Sequence, residues 1–270
     1  MKTISLMLIT TVILFTSCSN YQRVLKGSDM NLKFETAEKY YQKEEYYRAL
    51  QLLEELMVVY RGTEKGEKVY YYYAYCNYHI GDFVMASYHF NNFLLTYPNS
   101  TYSEEVQFQY AYCYYLDSPV PSLDQTSSID AIDKFQLFVN RYPKSEKVEQ
   151  ANNLIDELRL KLEIKAFNNA KLYYKTENYK AAITALQNVV VQFPAAIFKE
   201  EIYYLVFRSS YLYAINSVDS KLLQRLKDAR ENYLRLVDAF PQSKYLQDAE
   251  RAYNNVTEEL KKRDPVSLNN

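Results

Sequence analysis

The sequence predicts an all-α chain, a solenoid of about five helical hairpins, and three observations carry that expectation. Four glycines and seven prolines in 270 residues are too few for the frequent chain reversals of a many-stranded fold. Ala74-Tyr75-Cys76-Asn77-Tyr78 returns 37 positions later as Ala111-Tyr112-Cys113-Tyr114-Tyr115, and the same step backwards from Ala74 reaches Ala37, with Tyr41 answering Tyr78. A second phrase, Ala86, Phe90, Tyr97 and Pro98, recurs as Ala131, Phe135, Tyr142 and Pro143, as Ala182, Leu186, Phe193 and Pro194, and as Ala229, Tyr233, Phe240 and Pro241. Ala49, Leu53 and Tyr60 supply its first copy, with Arg61 in the proline's place. Repetition on this scale is the mark of stacked supersecondary units.

The first element is not part of that fold. Lys2 precedes an apolar run from Ile4 to Phe15, too short to span a bilayer and of the length of a signal-peptide core. The run ends in Phe15-Thr16-Ser17-Cys18, which resembles the lipobox of bacterial lipoproteins. Residues 1–17 are therefore expected to be a lipoprotein signal peptide, Cys18 the lipidation site and 18–31 a lipidated linker. An ordinary signal peptide with a chance cysteine after it is the alternative. Ser19 is not the Asp of an inner-membrane retention signal, and Asn20-Tyr21-Gln22-Arg23 lacks the acidic cluster of a surface-export signal. The expected location is the outer membrane, periplasmic face, lipid-anchored. Loss of residues 1–17 removes only Lys2 and leaves 31 basic against 33 acidic residues, with no basic stripe of the kind nucleic acid requires.

Five repeats are expected over 32–257, at about 32–66, 67–103, 104–160, 161–199 and 200–257, with 258–270 a helix end and flexible tail. Each pairs a small residue on one amphipathic segment with a small residue on the next, as Ala37 with Ala49, Ala74 with Ala86 and Ala170 with Ala182, so that two helices approach closely while larger side chains fill the groove between them. The spacing widens from Ala111 to Ala131 and from Ser209 to Ala229, and in the former the insert Ser118 to Leu123 reads as a loop by its prolines. Gly81-Asp82-Phe83 and Glu177-Asn178-Tyr179 are expected turns. Proline ends each second helix, and Ser100, Ser145 and Ser243 are placed to cap the next helix. This pattern resembles the tetratricopeptide repeat, whose hairpins stack because none buries its apolar face alone.

The 30 tyrosines suit either of two uses, helix packing or a wet aromatic interface. Tyr41, Tyr78, Tyr115, Tyr174 and Tyr213 recur at one position, as do Phe34, Tyr71, Phe108, Phe167 and Val206 at another. Recurrence in every copy is what packing requires. Tyr75 and Tyr112 differ, because their equivalents are Glu38, Lys171 and Ser210, and that variability suits a surface. A candidate peptide groove therefore comprises Glu38, Tyr71, Tyr75, Tyr78, Phe108, Tyr112 and Tyr115. Cys76 and Cys113, at equivalent positions, are expected to be free buried thiols, with a bridge the alternative. Cys76 and His79 have no third group to complete a catalytic or metal site, and the sequence holds no phosphate loop, HExxH or GxSxG. No catalytic residue, cofactor or metal is expected, and the chain reads as a binding protein, not an enzyme. The cationic end Lys261-Lys262-Arg263 suits a helix C-terminus or, alternatively, phospholipid contact.

The lipobox, the stretch Ser19 to Lys26, five such repeats, and Tyr-Pro-x-Ser at Tyr97 to Ser100 and Tyr142 to Ser145 together resemble the BamD family, also called YfiO or ComL. That resemblance implies a lipoprotein of the outer-membrane β-barrel assembly machine. Its implied partners are the barrel-forming protein BamA through its periplasmic domains, other assembly-machine lipoproteins, and the aromatic-ending C-terminal strands of unfolded barrel precursors. A general periplasmic scaffold or a glycan-binding lipoprotein is the alternative, and the absence of tryptophan disfavours the glycan reading.

Overall fold

The computed structural model describes residues 20–264, so Cys18 and the end of the tail lie outside the described residues. The chain divides into two compact units, with the break between Arg159 and Leu160. Among the described residues the secondary structure is helical, with no strand. In the first unit a short helical segment, 20–25, precedes α1 (Met30–Gln42), α2 (Tyr46–Val59), α3 (Glu64–His79), α4 (Phe83–Thr96), α5 (Ser103–Asp117) and α6 (Thr126–Arg141). The helix α7 (Val148–Lys175) begins in the first unit and ends in the second, which continues with α8 (Tyr179–Gln192), α9 (Lys199–Ile215), α10 (Asp219–Ala239) and α11 (Leu246–Arg263). Packing is sequential: α1 to α5 each contact the next helix, and α1 also meets α3, as α9 meets α11.

The small residues sit where the helices of each hairpin come together. Ala37, Ala49, Ala74, Ala86, Ala111, Ala131, Ala170, Ala182, Ser209 and Ala229 are all buried. Each first helix then serves two cores. On α3, Val69 and Cys76 pack backward with Ala49, Leu52 and Leu56, while Ala74 and Tyr75 pack forward with Ala86, Phe90 and Phe93. On α5, Val106, Tyr110 and Cys113 face back, and Phe108 and Ala111 face forward to Phe135 and Phe138. Cys76 and Cys113 are thus equivalent because both face the preceding hairpin, and both are free and buried. Burial pushes each thiol up to about 12.

The turns repeat as faithfully as the cores. Glu44, Gly81 and Glu177 all adopt positive φ, of 60°, 83° and 60°. Each occupies the left-handed position that closes a first helix. The amide of the following residue bonds the carbonyl five positions back: Glu45 to Tyr40 at 2.9 Å, Asp82 to Asn77 at 3.0 Å and Asn178 to Tyr173 at 2.9 Å. At the far end of the hairpin, Pro98, Pro143, Pro194 and Pro241 follow Tyr97, Tyr142, Phe193 and Phe240. The carbonyl of each of these aromatic residues accepts from the amide three positions on, at 3.0–3.1 Å, with proline at the turn position its fixed φ suits. Ser100, Ser145 and Ser243 accept, through Oγ, the amides of Tyr102, Lys147 and Tyr245, so they order the turn ahead of the helix.

Two inserts are handled differently. In the third hairpin, buried Gln125 donates through Nε2 to the Val120 and Leu123 carbonyls and accepts through Oε1 from Ser128, which pins the loop. In the fifth the added length is helical, carried by the 21-residue α10. The boundary expected between residues 160 and 161 falls inside α7, whose 28 residues include no glycine or proline to stop them. Its early residues Ala151, Leu154, Ile155 and Leu158 belong to the core of α5 and α6, and its later Phe167 and Ala170 to that of α8 and α9.

Two substitutions probe this packing. A Cβ on Gly66 would meet the Tyr60 carbonyl oxygen at 1.9 Å, so Gly66→Ala is expected to lower stability by about 1–3 kcal/mol, the range for overpacking. Ser209 stands where other hairpins carry alanine, and its buried Oγ has no hydrogen-bond partner among the described residues. Ser209→Ala is therefore expected to raise stability by about 1 kcal/mol. Urea denaturation followed by circular dichroism measures both, and a loss of stability in Ser209→Ala would contradict the packing account.

Candidate functional site

The candidate residues lie on the first helices α1, α3 and α5 of the first unit. Positions three and four apart on a helix share a face, so Tyr71, Tyr75 and Tyr78 form one column and Phe108, Tyr112 and Tyr115 another. In the first, the Tyr71 and Tyr75 rings lie 4.6 Å apart, and Tyr78 follows at 6.2 Å from Tyr75. In the second, Phe108 and Tyr112 stack at 6.0 Å, and Tyr112 and Tyr115 at 5.5 Å. Tyr41 of α1 packs on Tyr72 at 4.6 Å, and Tyr72 on Tyr71 at 5.8 Å, which carries the aromatic strip back to the first hairpin.

Polar brackets join the columns across repeats. Glu105, in the first turn of α5, accepts from the Tyr71 hydroxyl at 3.0 Å and the Tyr75 hydroxyl at 2.5 Å. The Tyr115 hydroxyl donates to Glu157 of α7 at 2.7 Å. Glu38 of α1 pairs with Lys68 of α3 at 2.5 Å. One geometry is used three times: Glu38 with Lys68, Tyr75 with Glu105, and Lys171 with Glu201 at 2.5 Å, each pair 30 residues apart. The variability of this position, which suits a surface on sequence grounds, has a second cause in the structure. At three of its five occurrences it is an inter-repeat bracket, and there its chemistry changes to match its partner.

The structure separates the seven candidates into two groups. Tyr75 is 7 % exposed, packed against Phe90 at 5.0 Å, and Phe108 is 4 % exposed, packed between Phe135 and Phe138. These two underlie the strip instead of lining an open groove. Glu38, Tyr71, Tyr78, Tyr112 and Tyr115 are half-buried. Three neighbours absent from the sequence-based set complete the arrangement: Tyr72, Tyr102 (4.5 Å from Tyr71) and Glu105. The signal for Glu105 is its offset of 37 from Lys68. Beside Lys68 a recess of about 460 Å³ is lined by Phe34, Lys65, Glu67, Thr101 and Tyr102, with the Lys65 ammonium 4.8 Å from both the Phe34 and Tyr60 rings.

His79 stacks on Tyr46 at 4.3 Å, while Cys76 is buried in the core of the first hairpin. No group of three or more His, Cys, Asp and Glu side chains that could hold a metal occurs among the described residues. Burial is the main reason that Tyr71 and Tyr75 stay protonated well above the ordinary tyrosine range, and the Glu105 carboxylate adds to it. The hydrogen bond to Glu157, with burial second, pushes Tyr115 up to about 12.

These shifts make stability depend on pH. The phenols bind their protons more tightly folded than unfolded, so the stability they lend is complete below the unfolded tyrosine value near 10 and is lost as pH rises through the folded values. The melting temperature is expected to fall steeply above about pH 10. Absorbance at 295 nm should report a tyrosinate fraction that appears only with loss of helix. Smooth titration of all tyrosines in the folded chain would refute it.

The YfiO family model, described as outer membrane lipoprotein, matches residues 27–211 and 170–265. Among solved structures, the TPR2AB-domain:pHSP90-complex of yeast Sti1 aligns with a TM-score of 0.39 at 12% identity, covering 86% of this chain and 99% of that one. No curated protein matches the sequence. The matched stretches reach from ahead of α1 to beyond α11, and the chain belongs to the YfiO family of outer membrane lipoproteins.

Proposed function

We propose that this chain is the non-enzymatic lipoprotein subunit of an outer-membrane protein assembly complex, anchored by acylated Cys18 at the periplasmic face. It holds a BamA-like protein through that protein's periplasmic domains, sits beside other assembly lipoproteins, and binds the C-terminal strands of unfolded β-barrel precursors for insertion. The observation that carries the reading is the strip of half-buried tyrosines on α1, α3 and α5, in a chain of this family. An extended strand with apolar side chains on alternate positions needs two things from a receptor. Its side chains need ring faces or edges, and its unpaired backbone groups need donors and acceptors. Tyrosine supplies both at little cost in side-chain entropy, because it has few rotatable bonds.

Photo-crosslinkers replacing Tyr78, Tyr112 or Tyr115 in the intact chain test the reading. Barrel precursors are expected to crosslink at these positions, and a synthetic C-terminal strand peptide should compete them away. Co-purification with a BamA-like protein and loss of outer-membrane barrels on depletion should accompany this. Unchanged barrel levels after depletion would sink the assembly role.

A further inference from the structure

The second helices of the first two hairpins carry an exposed face that the tyrosine strip does not use. Helix α4 contains no Asp, Glu, Lys or Arg, and its outer side is apolar, with Val84 66 %, Tyr88 58 % and Leu95 73 % exposed. At about 100° per residue these three positions fall within about 40° of one another. On α2, Tyr47 and Val58 are eleven positions apart, again one side of the helix, and Val58 is 78 % exposed. The two stripes meet over a recess of about 420 Å³, lined by Met57, Val58, Tyr88, Asn92 and Leu95 with Arg61 at its edge.

The chain's N-terminal segment says what lies against this face. Residues 20–25 dock on α2: the Tyr21 hydroxyl donates to Gln51 Oε1 at 2.7 Å and to the Arg48 carbonyl at 3.2 Å, and Val24 is buried in the same core. Gln51 is one turn from Tyr47 on the exposed side of α2. Cys18 stands two residues ahead of Asn20, a reach of about 7 Å at most. An acyl anchor there holds the flank of α2 at the membrane surface.

We propose that the outer face of α2 and α4 rests among the headgroups of the phospholipid bilayer, as a second membrane contact beside Cys18, an inference that itself rests on the lipoprotein reading. On α4 the uncharged stripe of Val84, Tyr88 and Leu95, with Asn91 the one polar residue in it, matches the submerged side of an interfacial helix, with tyrosine at the water boundary. On α2 the exposed Glu54 falls between Tyr47 and Val58 on the same side, so the apolar contact on that helix is its C-terminal end at Val58, with Arg61 beside it. The helix is not a span: α4 has 14 residues, and no helix among the described residues is long and apolar enough to cross a membrane. Because acylation already supplies the affinity, the contact sets orientation. It leaves the first helices α1, α3 and α5 free for protein partners.

The test uses the mature chain, with acylation of Cys18 confirmed by mass, in vesicles of phosphatidylethanolamine and phosphatidylglycerol. An environment-sensitive dye is attached at Val84→Cys, Leu95→Cys or, as a control in the second unit, Val191→Cys, which is also well exposed. The buried thiols of Cys76 and Cys113 stay unlabelled in the folded chain. Dyes at positions 84 and 95 are expected to blue-shift and lose most of their emission to lipids carrying a headgroup-level quencher, while the dye at 191 does neither. The double variant Val84→Glu with Leu95→Glu should leave melting unchanged and abolish the lipid-dependent shift of a dye at Val58→Cys. Water-like emission at 84 and 95 with acylation intact would overturn the proposal while leaving the lipoprotein reading in place. No acyl mass on Cys18 would overturn both. A blue shift without vesicles that grows with protein concentration would overturn it too, by assigning the face to a second copy of the chain.

Discussion

Close approach of two helices at a pair of small residues is the constraint on which everything else depends. Where Ala37 meets Ala49, or Ala74 meets Ala86, nothing larger than a methyl group separates the backbones, and both partners are fully buried. That approach brings the large residues one turn away, Leu53 or Phe90, into the groove between first helices, where they lose all contact with water. Removing one such side chain from water is worth about 1.5–3 kcal/mol, far more than any polar bracket on the surface. The tyrosine strip is therefore a consequence of the hydrophobic hairpins and not a cause of them. It stands in a column because the helices beneath it have no freedom to move.

The brackets do a different kind of work. Glu38 with Lys68 and Lys171 with Glu201 are partly exposed ion pairs, and such pairs contribute little to stability. What they specify is register, since each accepts one partner chemistry at one separation. Tyr75 with Glu105 is the most buried member of the set, and there the hydroxyl must be paired because Tyr75 is 7 % exposed, while Glu105 is half-buried. The same position thus grades from a surface contact to a buried one along the chain, while the neighbouring Tyr71, Tyr78 and Tyr112 stay half-buried.

How much of this could be read from residues alone differed between core and surface. The hairpins and the closing prolines follow from spacing, because small residues that meet across a hairpin recur at fixed offsets, whereas the two-sided role of each first helix emerges only with its neighbours in place. Turns were half legible: Gly81 announces its left-handed conformation, whereas Glu44 and Glu177 adopt it with no such signal. The continuity of α7 was not legible as a single element, since repeat logic places a boundary at residue 160 while nothing local interrupts the helix there. For the site, the column of tyrosines was visible from periodicity. The burial of Phe108 was legible too, since recurrence in every copy marks packing, whereas that of Tyr75 was not, because it depends on Phe90 arriving from the following helix.

Tyrosine is what allows one fold to face two environments. A phenylalanine strip of the same extent would bury itself or aggregate, since an exposed apolar surface without polar relief seeks a partner indiscriminately. On α3 and α5 the hydroxyls of the half-buried Tyr71 and Tyr115 are tied to Glu105 and Glu157, which fixes the rings at the surface. On α4, by contrast, Val84 and Leu95 carry no hydroxyl and have no carboxylate beside them on the helix. On the proposed reading the two surfaces differ in this respect: a surface for transient peptide contact keeps hydrogen-bonding groups that water can reclaim, whereas one for lipid has nothing for water to reclaim and would stay where a bilayer held it.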